Sequence, residues 1–199
     1  QAYTKDNNQK PDEVFLCVTQ RLDRPTTGVV LFARTSKALT RLNAMFQSHE
    51  QIQKTYWAIV EKNERLKAKG NEAVRLEHYL WRNEKQNKSF VVKPDTKGAK
   101  RAVLTYKVIA QGDRYMLLEI NLETGRHHQI RCQLAAIGCP IKGDLKYGAK
   151  RSNPDGGISL HARQIEFVHP VSKQSITITA PVPDDSLWQS FSGMMTDLG

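Results

Sequence analysis

The sequence predicts an α+β fold built on a largely antiparallel sheet. Apolar segments of strand length outnumber the segments with helical spacing, and no internal repeat or low-complexity tract interrupts them. The chain has 199 residues, 39% of them hydrophobic, which is enough for one sizeable core. We therefore expect one domain over residues 1–199 that begins with a polar lead at residues 1–13.

The first predicted elements are a strand, a helix and a second strand. The apolar run Val-Val-Leu-Phe-Ala at residues 29–33 predicts a buried strand. Ser36 can cap a following helix whose apolar residues recur at intervals of three or four. The segment "KTYWAIV", residues 54–60, predicts the next strand, in which Tyr56 and Trp57 alternate. One of these two rings is expected to face the core and the other a groove or solvent.

The second half of the chain is predicted to contain three more strands and one helix. Residues 114–124 have the apolar character of a strand. The segment "GRHHQIRCQLAAIG", residues 125–138, has one apolar helical stripe, and Gly138 stands where a helix commonly ends. Residues 158–170 and 175–181 predict the last two strands, the second of which alternates isoleucine with threonine.

The chain is strongly basic, with 30 Lys and Arg against 20 Asp and Glu and a net charge of +10. Such a balance attracts polyanions, and without a membrane motif it favours nucleic acid as the partner. From Glu84 to Lys107, seven cationic residues stand against two acidic ones. This run is either a solvated hairpin or an arm that contacts phosphates, and its candidate contacts are Lys97, Lys100 and Arg101.

Cysteine usage and hydropathy both indicate an intracellular protein. The three cysteines are an odd number without a CxxC pair, which is typical of a reducing cytosol rather than of a disulfide framework. No apolar run approaches the roughly 18 to 20 residues of a membrane span. The polar start also has no signal-peptide core. We expect a cytoplasmic monomer that does not bind membranes.

The histidines and cysteines do not have the spacing of a metal site. His128 and Cys132 are four residues apart on one predicted helix, but no second pair has zinc-ligand spacing. The phosphate-binding patterns GxxxxGK[ST] and GxGxxG are also missing from the sequence. The sequence therefore predicts neither a metal nor a nucleotide cofactor.

The segment "TQRLDRPTTG", residues 19–28, places one carboxylate, Asp23, between Arg21 and Arg24. An aspartate between arginines on a surface loop is commonly an ion-pair anchor. The alternative is that Asp23 is kept charged because it takes part in a reaction. The isolated segment leaves both interpretations open.

Five blocks of the sequence, taken together and in order, resemble the signature blocks of the RluA-type (large-subunit ribosomal RNA) pseudouridine synthases. The blocks are "RLDRPTTG" (21–28), "KTYWAIV" (54–60), "LETGRHHQIRCQLAAIGCPIKGDLKYG" (122–148), "LHARQIEFVHP" (160–170) and "APVP" (180–183). The resemblance implies a central mixed, mostly antiparallel sheet with flanking helices and a catalytic cleft. It also implies that uridine in structured RNA is converted to pseudouridine without a cofactor.

The resemblance implies roles for five residues of this sequence. Asp23 matches the catalytic aspartate, and Arg126 matches the arginine that pairs with it. Tyr56 matches the tyrosine that stacks on the target base. Arg21 matches the arginine that fills the space left by the flipped nucleotide, and Ile130 matches an apolar residue that lines the pocket.

These residue types suit the implied chemistry. Uridine loses its C1′–N1 bond, the freed base turns, and C5 bonds to C1′. One ionised carboxylate can start this by attacking C1′ as a nucleophile or by removing the 2′ proton as a base, and the sequence leaves both routes open. A nearby guanidinium favours the charged carboxylate, and an aromatic face can hold the loosened uracil.

Some features depart from the family pattern. Gln20 stands where the family often has histidine, and Thr27 where it often has serine, so we expect altered binding rather than lost chemistry. The Asn-Lys-Pro-Gly-like stretch that usually lies upstream is missing before Val14, so the chain is expected to lack an N-terminal strand. Arg24, beside Asp23, is expected to contact RNA.

Three alternatives to a ribosomal RNA synthase remain open at this point. The first is a non-catalytic RNA-binding module derived from such an enzyme. The second is a phosphodiesterase or glycosidase that uses Asp23 with another carboxylate. The third is a synthase that acts on transfer RNA rather than on large-subunit ribosomal RNA.

Overall fold

A computed structural model describes residues 15–20, 22–48, 52–64, 66 and 72–196. The strands in this part of the chain are β1 (Cys17–Val18), β2 (Thr27–Gly28), β3 (Phe32–Ala33), β4 (Ile52–Glu61), β5 (Val74–Asn83), β6 (Lys88–Val92), β7 (Lys100–Gln111), β8 (Tyr115–Leu122), β9 (Leu160–Val168) and β10 (Ser175–Thr179). The helices are α1 (Ser36–Ser48), α2 (Gln129–Ala136) and α3 (Ser186–Thr196), with a short 3-10 helix at Leu145–Tyr147.

The predicted α+β class with a mixed, mostly antiparallel sheet is confirmed. The large sheet has the strand order β10-β9-β4-β8-β7-β5-β6, and β2 pairs with β9 outside this order. Its pairings are antiparallel apart from the parallel pair β2 and β9. A second, two-stranded sheet joins β1 to β3. No helix among the described residues is both long and apolar enough to cross a membrane.

Four of the predicted strands are confirmed, as β4, β8, β9 and β10. The strand predicted over residues 29–33 is wrong, because only Phe32 and Ala33 belong to a strand there. Val29 N still donates to the carbonyl of Ala162 on the large sheet, at 3.0 Å, whereas the carbonyl of Leu31 accepts from Thr19 N, also at 3.0 Å. The apolar run therefore crosses from one sheet to the other instead of forming one strand.

The two helices predicted in the sequence are present, with one correction at a cap. Thr35, rather than Ser36, caps α1, because Thr35 Oγ1 accepts from Ala38 N at 3.1 Å and the Thr35 carbonyl accepts from Leu39 N at 3.0 Å. The predicted end of α2 is confirmed. Gly138 has a left-handed φ of 79° and donates its N–H to the carbonyl of Ala135 at 2.9 Å.

The large sheet is covered on both faces along β4. Tyr56 packs on the face that carries α2, together with Ile130, and Trp57 packs on the other face against Trp188 of α3. Tyr56 is 9% exposed and Trp57 is 8% exposed. The expectation that one ring faces the core and the other a groove or solvent is met by a groove, since Trp57 lies in the core and Tyr56 lines a cavity, while two covering layers keep both rings from bulk solvent.

Candidate active site

A cavity of about 310 Å³ lies where β4 begins, β8 ends and α2 begins. We call it the catalytic cavity. Of the residues expected at the site, four line it, namely Asp23, Tyr56, Arg126 and Ile130. Arg24, Lys97, Lys100 and Arg101 are not among the residues that line it. Arg21, expected to fill the space of a flipped nucleotide, lies outside the described residues.

The loop that carries Asp23 is held against the sheet by its backbone. The carbonyl of Asp23 accepts from Thr26 N at 2.8 Å, which closes a turn, and Thr27 and Gly28 then pair with β9 as strand β2. Gly28 has a φ of 117°, and a Cβ there would lie 2.3 Å from the carbonyl oxygen of Ala162. Only glycine permits this approach, so the end of the "RLDRPTTG" block fixes the distance between the Asp23 loop and the sheet.

The side chain of Thr27 adds a second attachment. Its hydroxyl lies 2.8 Å from His161 Nδ1, and His161 is 1% exposed. Burial lowers the pKa of His161, so the ring is neutral near neutral pH. Thr27 thus provides a hydroxyl at the position where the family often has serine.

Arg131 is the cationic partner of Asp23. Its Nη1 donates to Asp23 Oδ2 at 3.4 Å, while Nε and Nη2 donate to the two carboxylate oxygens of Asp144 at 2.7 and 2.8 Å. The side chains of Arg131 and Asp144 are 6% and 1% exposed, whereas that of Asp23 is 30% exposed. Asp144 therefore fixes the guanidinium, and Asp23 alone of the two carboxylates opens to the cavity.

The expected ion pair between Arg126 and Asp23 is wrong. Arg126 Nε donates instead to the carbonyl of Arg101 at 2.9 Å. The Arg126 backbone N–H donates to Gln129 Oε1, also at 2.9 Å, and Gln129 Nε2 donates to the carbonyl of Val103 on β7 at 3.0 Å, so Gln129 holds the turn before α2 close to β7. Arg126 lies in that turn, at the rim of the cavity, whereas Arg131 lies on the helix itself and faces Asp23.

His128 supports Arg131 as a neutral ring. Arg131 Nη1 lies 3.1 Å from His128 Nε2, and a guanidinium has no acceptor, so Nε2 is the acceptor and Nδ1 carries the proton. Nδ1 then donates to the Tyr147 hydroxyl at 2.9 Å. Burial and the positive charge of Arg131 lower the His128 pKa to about 3. The 3.6 Å approach of His128 to Asp23 is therefore no ion pair near neutral pH.

Tyr56 presents a protonated phenol to the cavity. Burial and the negative charge of Asp23 raise its pKa to about 12. A bulge in the pairing of β4 with β9 lies between Thr55 and Tyr56, and such a bulge changes the direction of the side chains that follow it. Lys54 also lines the cavity, and burial lowers its pKa.

The histidines and cysteine considered as metal ligands bind other groups. His127 lies between Ser89 Oγ and Asn87 Oδ1, at 2.9 and 3.0 Å, and Cys132 Sγ donates to the carbonyl of Ser89 at 3.3 Å. Within the described ranges, no group of three or more His, Cys, Asp or Glu residues is arranged to hold a metal ion.

The basic run from Glu84 to Lys107 comprises the turn after β5, strand β6, the loop that follows it and the first part of β7, and we call these strands together with β5 the β5–β6–β7 arm of the sheet. Lys97 and Lys100 are exposed at the loop that connects β6 to β7. Arg101 is held by Glu77, with Nε and Nη2 at 2.7 and 2.9 Å from the two carboxylate oxygens. The arm is thus a hairpin, as the first interpretation of this run expected. It also exposes the lysines that the second interpretation, an arm that contacts phosphates, requires.

Sequence reasoning missed the role of Arg131 and the whole role of Asp144. Arg131 and Asp144 both lie in the quoted block at residues 122–148, but 108 residues separate Asp23 from Arg131. No local signal singled out these two residues, because the block at residues 122–148 contains several other polar and charged residues.

The site can present one charged carboxylate to a bound molecule. Asp23 is the single carboxylate among the described residues that line the catalytic cavity. Asp144 is buried behind it with both oxygens bound to Arg131. The arrangement fits a reaction that one carboxylate begins, beside a phenol and an apolar wall that includes Ile130 and Leu160.

Comparison with known proteins identifies the family. The family model described as RNA pseudouridylate synthase matches residues 1–136. The tRNA pseudouridine synthase C of Pectobacterium carotovorum is 34% identical over 200 residues, which cover 90% of this chain and 49% of that protein. The ribosomal large subunit pseudouridine synthase D of Xylella fastidiosa is 34% identical over 181 residues, which cover 84% of this chain and 52% of that protein. The chain thus spans about half the length of these relatives.

A third relative and a solved structure extend the comparison. The tRNA pseudouridine synthase C of Vibrio cholerae is 32% identical over 197 residues, covering 90% of this chain and 75% of that protein. Human RNA Pseudouridylate Synthase Domain Containing 1 has the same fold, with a TM-score of 0.68 at 21% identity over 92% of this chain and 80% of that one. The chain belongs to the RNA pseudouridylate synthase family, as its RluA-type motifs predicted.

Proposed function

We propose that this protein is an RNA pseudouridine synthase in which Asp23 begins the reaction. The observation that carries the proposal is the placement of Asp23 on the cavity wall, 3.4 Å from an Arg131 guanidinium that buried Asp144 holds in position. A carboxylate held in this way is oriented before a substrate binds.

The proposed reaction begins with cleavage of the C1′–N1 bond of an extruded uridine. Asp23 either attacks C1′ and forms a covalent ester to the sugar, or removes the 2′ proton. The freed uracil turns so that C5 faces C1′, and the C5–C1′ bond forms as the Asp23–C1′ ester bond breaks or, in the other route, as Asp23 returns the 2′ proton. The C5 proton is then lost while N1 regains one. No electrons enter or leave, so the isomerisation needs no oxidant or reductant.

Tyr56 is proposed to hold the uracil while it turns. Base stacking on an aromatic side chain contributes about 1 to 3 kcal/mol. Because its pKa is about 12, the phenol is protonated near neutral pH and can act as a proton relay rather than as a free phenolate. Ile130, 5% exposed, contributes to the apolar wall of the cavity.

Large-subunit ribosomal RNA is proposed as the first candidate substrate and transfer RNA as the second. Relatives named for both substrates match this chain at 32 to 34% identity. Extrusion of the uridine costs roughly a few kcal/mol, which Arg126 at the cavity rim and the exposed Arg24, Lys97 and Lys100 can offset by contacts to phosphates.

A glycosidase or phosphodiesterase is less well supported. A glycosidase needs a second carboxylate about 5 to 9.5 Å from the first, with access to the substrate. The nearby Asp144 does not meet the second condition, because it is 1% exposed and its two oxygens accept from Arg131.

The test is to incubate the purified chain with total ribosomal RNA and, separately, with transfer RNA, and to map pseudouridine at single-nucleotide resolution. The expected result is modification at a defined uridine, with no released base and no cut RNA. An Asp23→Asn variant serves as the matched control and should leave both RNAs unmodified. RNA binding without modification by the wild-type chain would favour the non-catalytic module instead.

A further inference from the structure

A second cavity lies at the opposite end of β4 from the catalytic cavity. It has a volume of about 560 Å³, and we call it the distal cavity. Its wall includes Glu61, the last residue of β4, and Tyr115, the first residue of β8. Tyr56 and Glu61 are five residues apart on β4, so about 16 Å of strand separates the two cavities.

The distal cavity concentrates positive charge. Among the described residues that line it, four cationic side chains stand against one carboxylate, that of Glu61; the four are Lys62, Lys142, Lys150 and Arg151. Glu61 lies 3.7 Å from Lys150, with both side chains largely exposed, so this pair is weak and leaves the cavity positive. Like charges repel, and their grouping in one concavity favours an anion there.

One of these cations is fixed by the fold. The Lys142 ammonium donates to Asn153 Oδ1 at 2.7 Å, and Asn153 Nδ2 donates to Ser159 Oγ at 3.1 Å. The backbone of Lys142 is also held, since its N–H donates to Ile59 and its carbonyl accepts from Ser159, both at 2.9 Å. An ammonium has three donors, so Lys142 keeps donors for a ligand.

The wall around Lys142 is closely packed. Gly143 has a φ of 86°, and a Cβ there would lie 2.7 Å from the Asn153 side chain and 2.7 Å from the carbonyl of Gly157. The Lys142 ammonium lies 5.9 Å from the centre of the Tyr115 ring. The cavity thus combines a preformed wall, a positioned cation and an aromatic surface, with Lys150 and Arg151 exposed at its edge.

We propose that the distal cavity is a second RNA-binding site, which takes backbone phosphates of the substrate RNA away from the uridine that reacts. The inference rests on the proposed function in that RNA is the ligand. An isolated phosphate or mononucleotide has the same anionic chemistry. A single small ion, however, leaves the edge cations Lys150 and Arg151 without a role. A continuous RNA backbone can reach these two residues and Lys142 together.

The test is a double charge reversal, Lys150→Glu with Arg151→Glu, at two exposed positions outside the catalytic cavity. The probe is a large-subunit ribosomal RNA fragment, or the transfer RNA if that is the RNA modified. The affinity for this probe should fall at least about tenfold at low salt, and the log–log salt slope should decrease by roughly 1.4 to 1.8, the value for two phosphate contacts. The matched control, Arg34→Glu with Lys37→Glu, makes the same change in charge on exposed residues elsewhere and should have a smaller effect.

Binding is measured in the wild-type and the Asp23→Asn backgrounds, so the result does not depend on turnover. If the wild-type chain makes no pseudouridine but the double charge reversal still lowers RNA affinity, the proposed function is overturned and the distal site is supported. Unchanged affinity and slope would overturn the distal site, as would an equal loss in the control pair.

A third measurement titrates the wild type with uridine monophosphate and inorganic phosphate. Saturable binding of either, lost in the double variant without any loss of RNA affinity, would assign the cavity to a small phosphate and overturn the proposal.

Discussion

Arg131 Nη1 lies 3.4 Å from Asp23 Oδ2, and the rest of the same guanidinium is bound to buried Asp144 at 2.7 and 2.8 Å. The stronger, bidentate contact is thus made with the carboxylate that no substrate can reach. Asp23 receives one N–H of Nη1, whose nitrogen also lies 3.1 Å from His128 Nε2, and keeps its access to the cavity. This division of one cation between two carboxylates separates the structural role of Asp144 from the chemical role proposed for Asp23.

Asp23→Asn should abolish pseudouridine formation and leave the fold intact. An amide is a poor nucleophile and a poor base, so both possible first steps are lost. Because Arg131 keeps its two bonds to Asp144, the unfolding free energy should change by less than about 1 kcal/mol. Pseudouridine mapping beside urea unfolding checks both statements. A folded variant that retains a comparable rate would contradict the catalytic assignment.

Asp144→Asn should do the reverse and act mainly on stability. Arg131 is 6% exposed, and the loss of its buried countercharge should reduce the unfolding free energy by about 3 to 5 kcal/mol. At a temperature where the variant is still folded, turnover should fall while RNA affinity is kept, because Arg131 is no longer fixed beside Asp23. The control is Asp95→Asn, on an exposed loop, which should change neither quantity. A stable Asp144→Asn protein with normal turnover would remove Asp144 from the positioning role.

The elements that the sequence predicted are those with long, distinctive patterns. Strand β4 is apolar over its buried length and helix α2 has a clear stripe and a terminal glycine, so local pattern was sufficient there. The run at residues 29–33 is equally apolar. Whether its residues form a strand depends on which neighbouring backbone segment they hydrogen-bond with. Local sequence carries no information on that partner.

The same distinction holds within the site. Asp23, Tyr56 and Ile130 were found because each stands at a fixed place in a local motif, and all three line the cavity. The family resemblance assigned Arg126 as the partner of Asp23, whereas Arg131 holds that place, because the orientation of α2 decides which arginine of the block meets Asp23. The two bonds from Asp144 show that the guanidinium held in place beside Asp23 is that of Arg131.

Tyr56→Phe and Tyr56→Ala should separate the ring of Tyr56 from its hydroxyl. The phenylalanine ring keeps the packing and the stacking face, so the fold and the RNA affinity should be retained while turnover slows. The alanine variant leaves a hole beside Ile130, and we expect a loss of about 3 to 5 kcal/mol in unfolding free energy together with weaker RNA binding. Unfolding, RNA affinity and single-turnover rates give the comparison. Normal turnover in the phenylalanine variant would mean that the hydroxyl takes no part in proton movement.

His128 should make the fold less stable in acid. Its folded pKa of about 3 lies below the value of 6.5 for a free histidine, so the unfolded chain binds more protons between these two pH values. Stability is therefore full above about pH 6.5 and decreases as the pH falls towards 3. His128 has a left-handed φ of 53°, which asparagine tolerates well, so His128→Asn is the suitable variant.

The loss of unfolding free energy between about pH 7 and pH 4.5 should be smaller in His128→Asn than in the wild type, by up to about 2 kcal/mol. Urea unfolding at the two pH values measures it. Burial also lowers the pKa of His127 and of His161, so part of the acid sensitivity should remain in the variant. Identical pH dependence in the two proteins would show that His128 is not held neutral by the fold.

The β5–β6–β7 arm should bind RNA through its unpaired lysines more than through Arg101. Lys97 and Lys100 are exposed. The Arg101 guanidinium, in contrast, donates through Nε and Nη2 to the two carboxylate oxygens of Glu77, at 2.7 and 2.9 Å. A phosphate must therefore compete with Glu77 for Arg101 but not for the lysines.

Lys97→Ala with Lys100→Ala should lower RNA affinity and reduce the log–log salt slope by roughly 1.4 to 1.8, the value for two contacts. Arg101→Ala should reduce the slope by less than one contact. Fluorescence titrations of one labelled RNA at several salt concentrations measure all three slopes, and an arm that is only a solvated hairpin would leave every slope at the wild-type value.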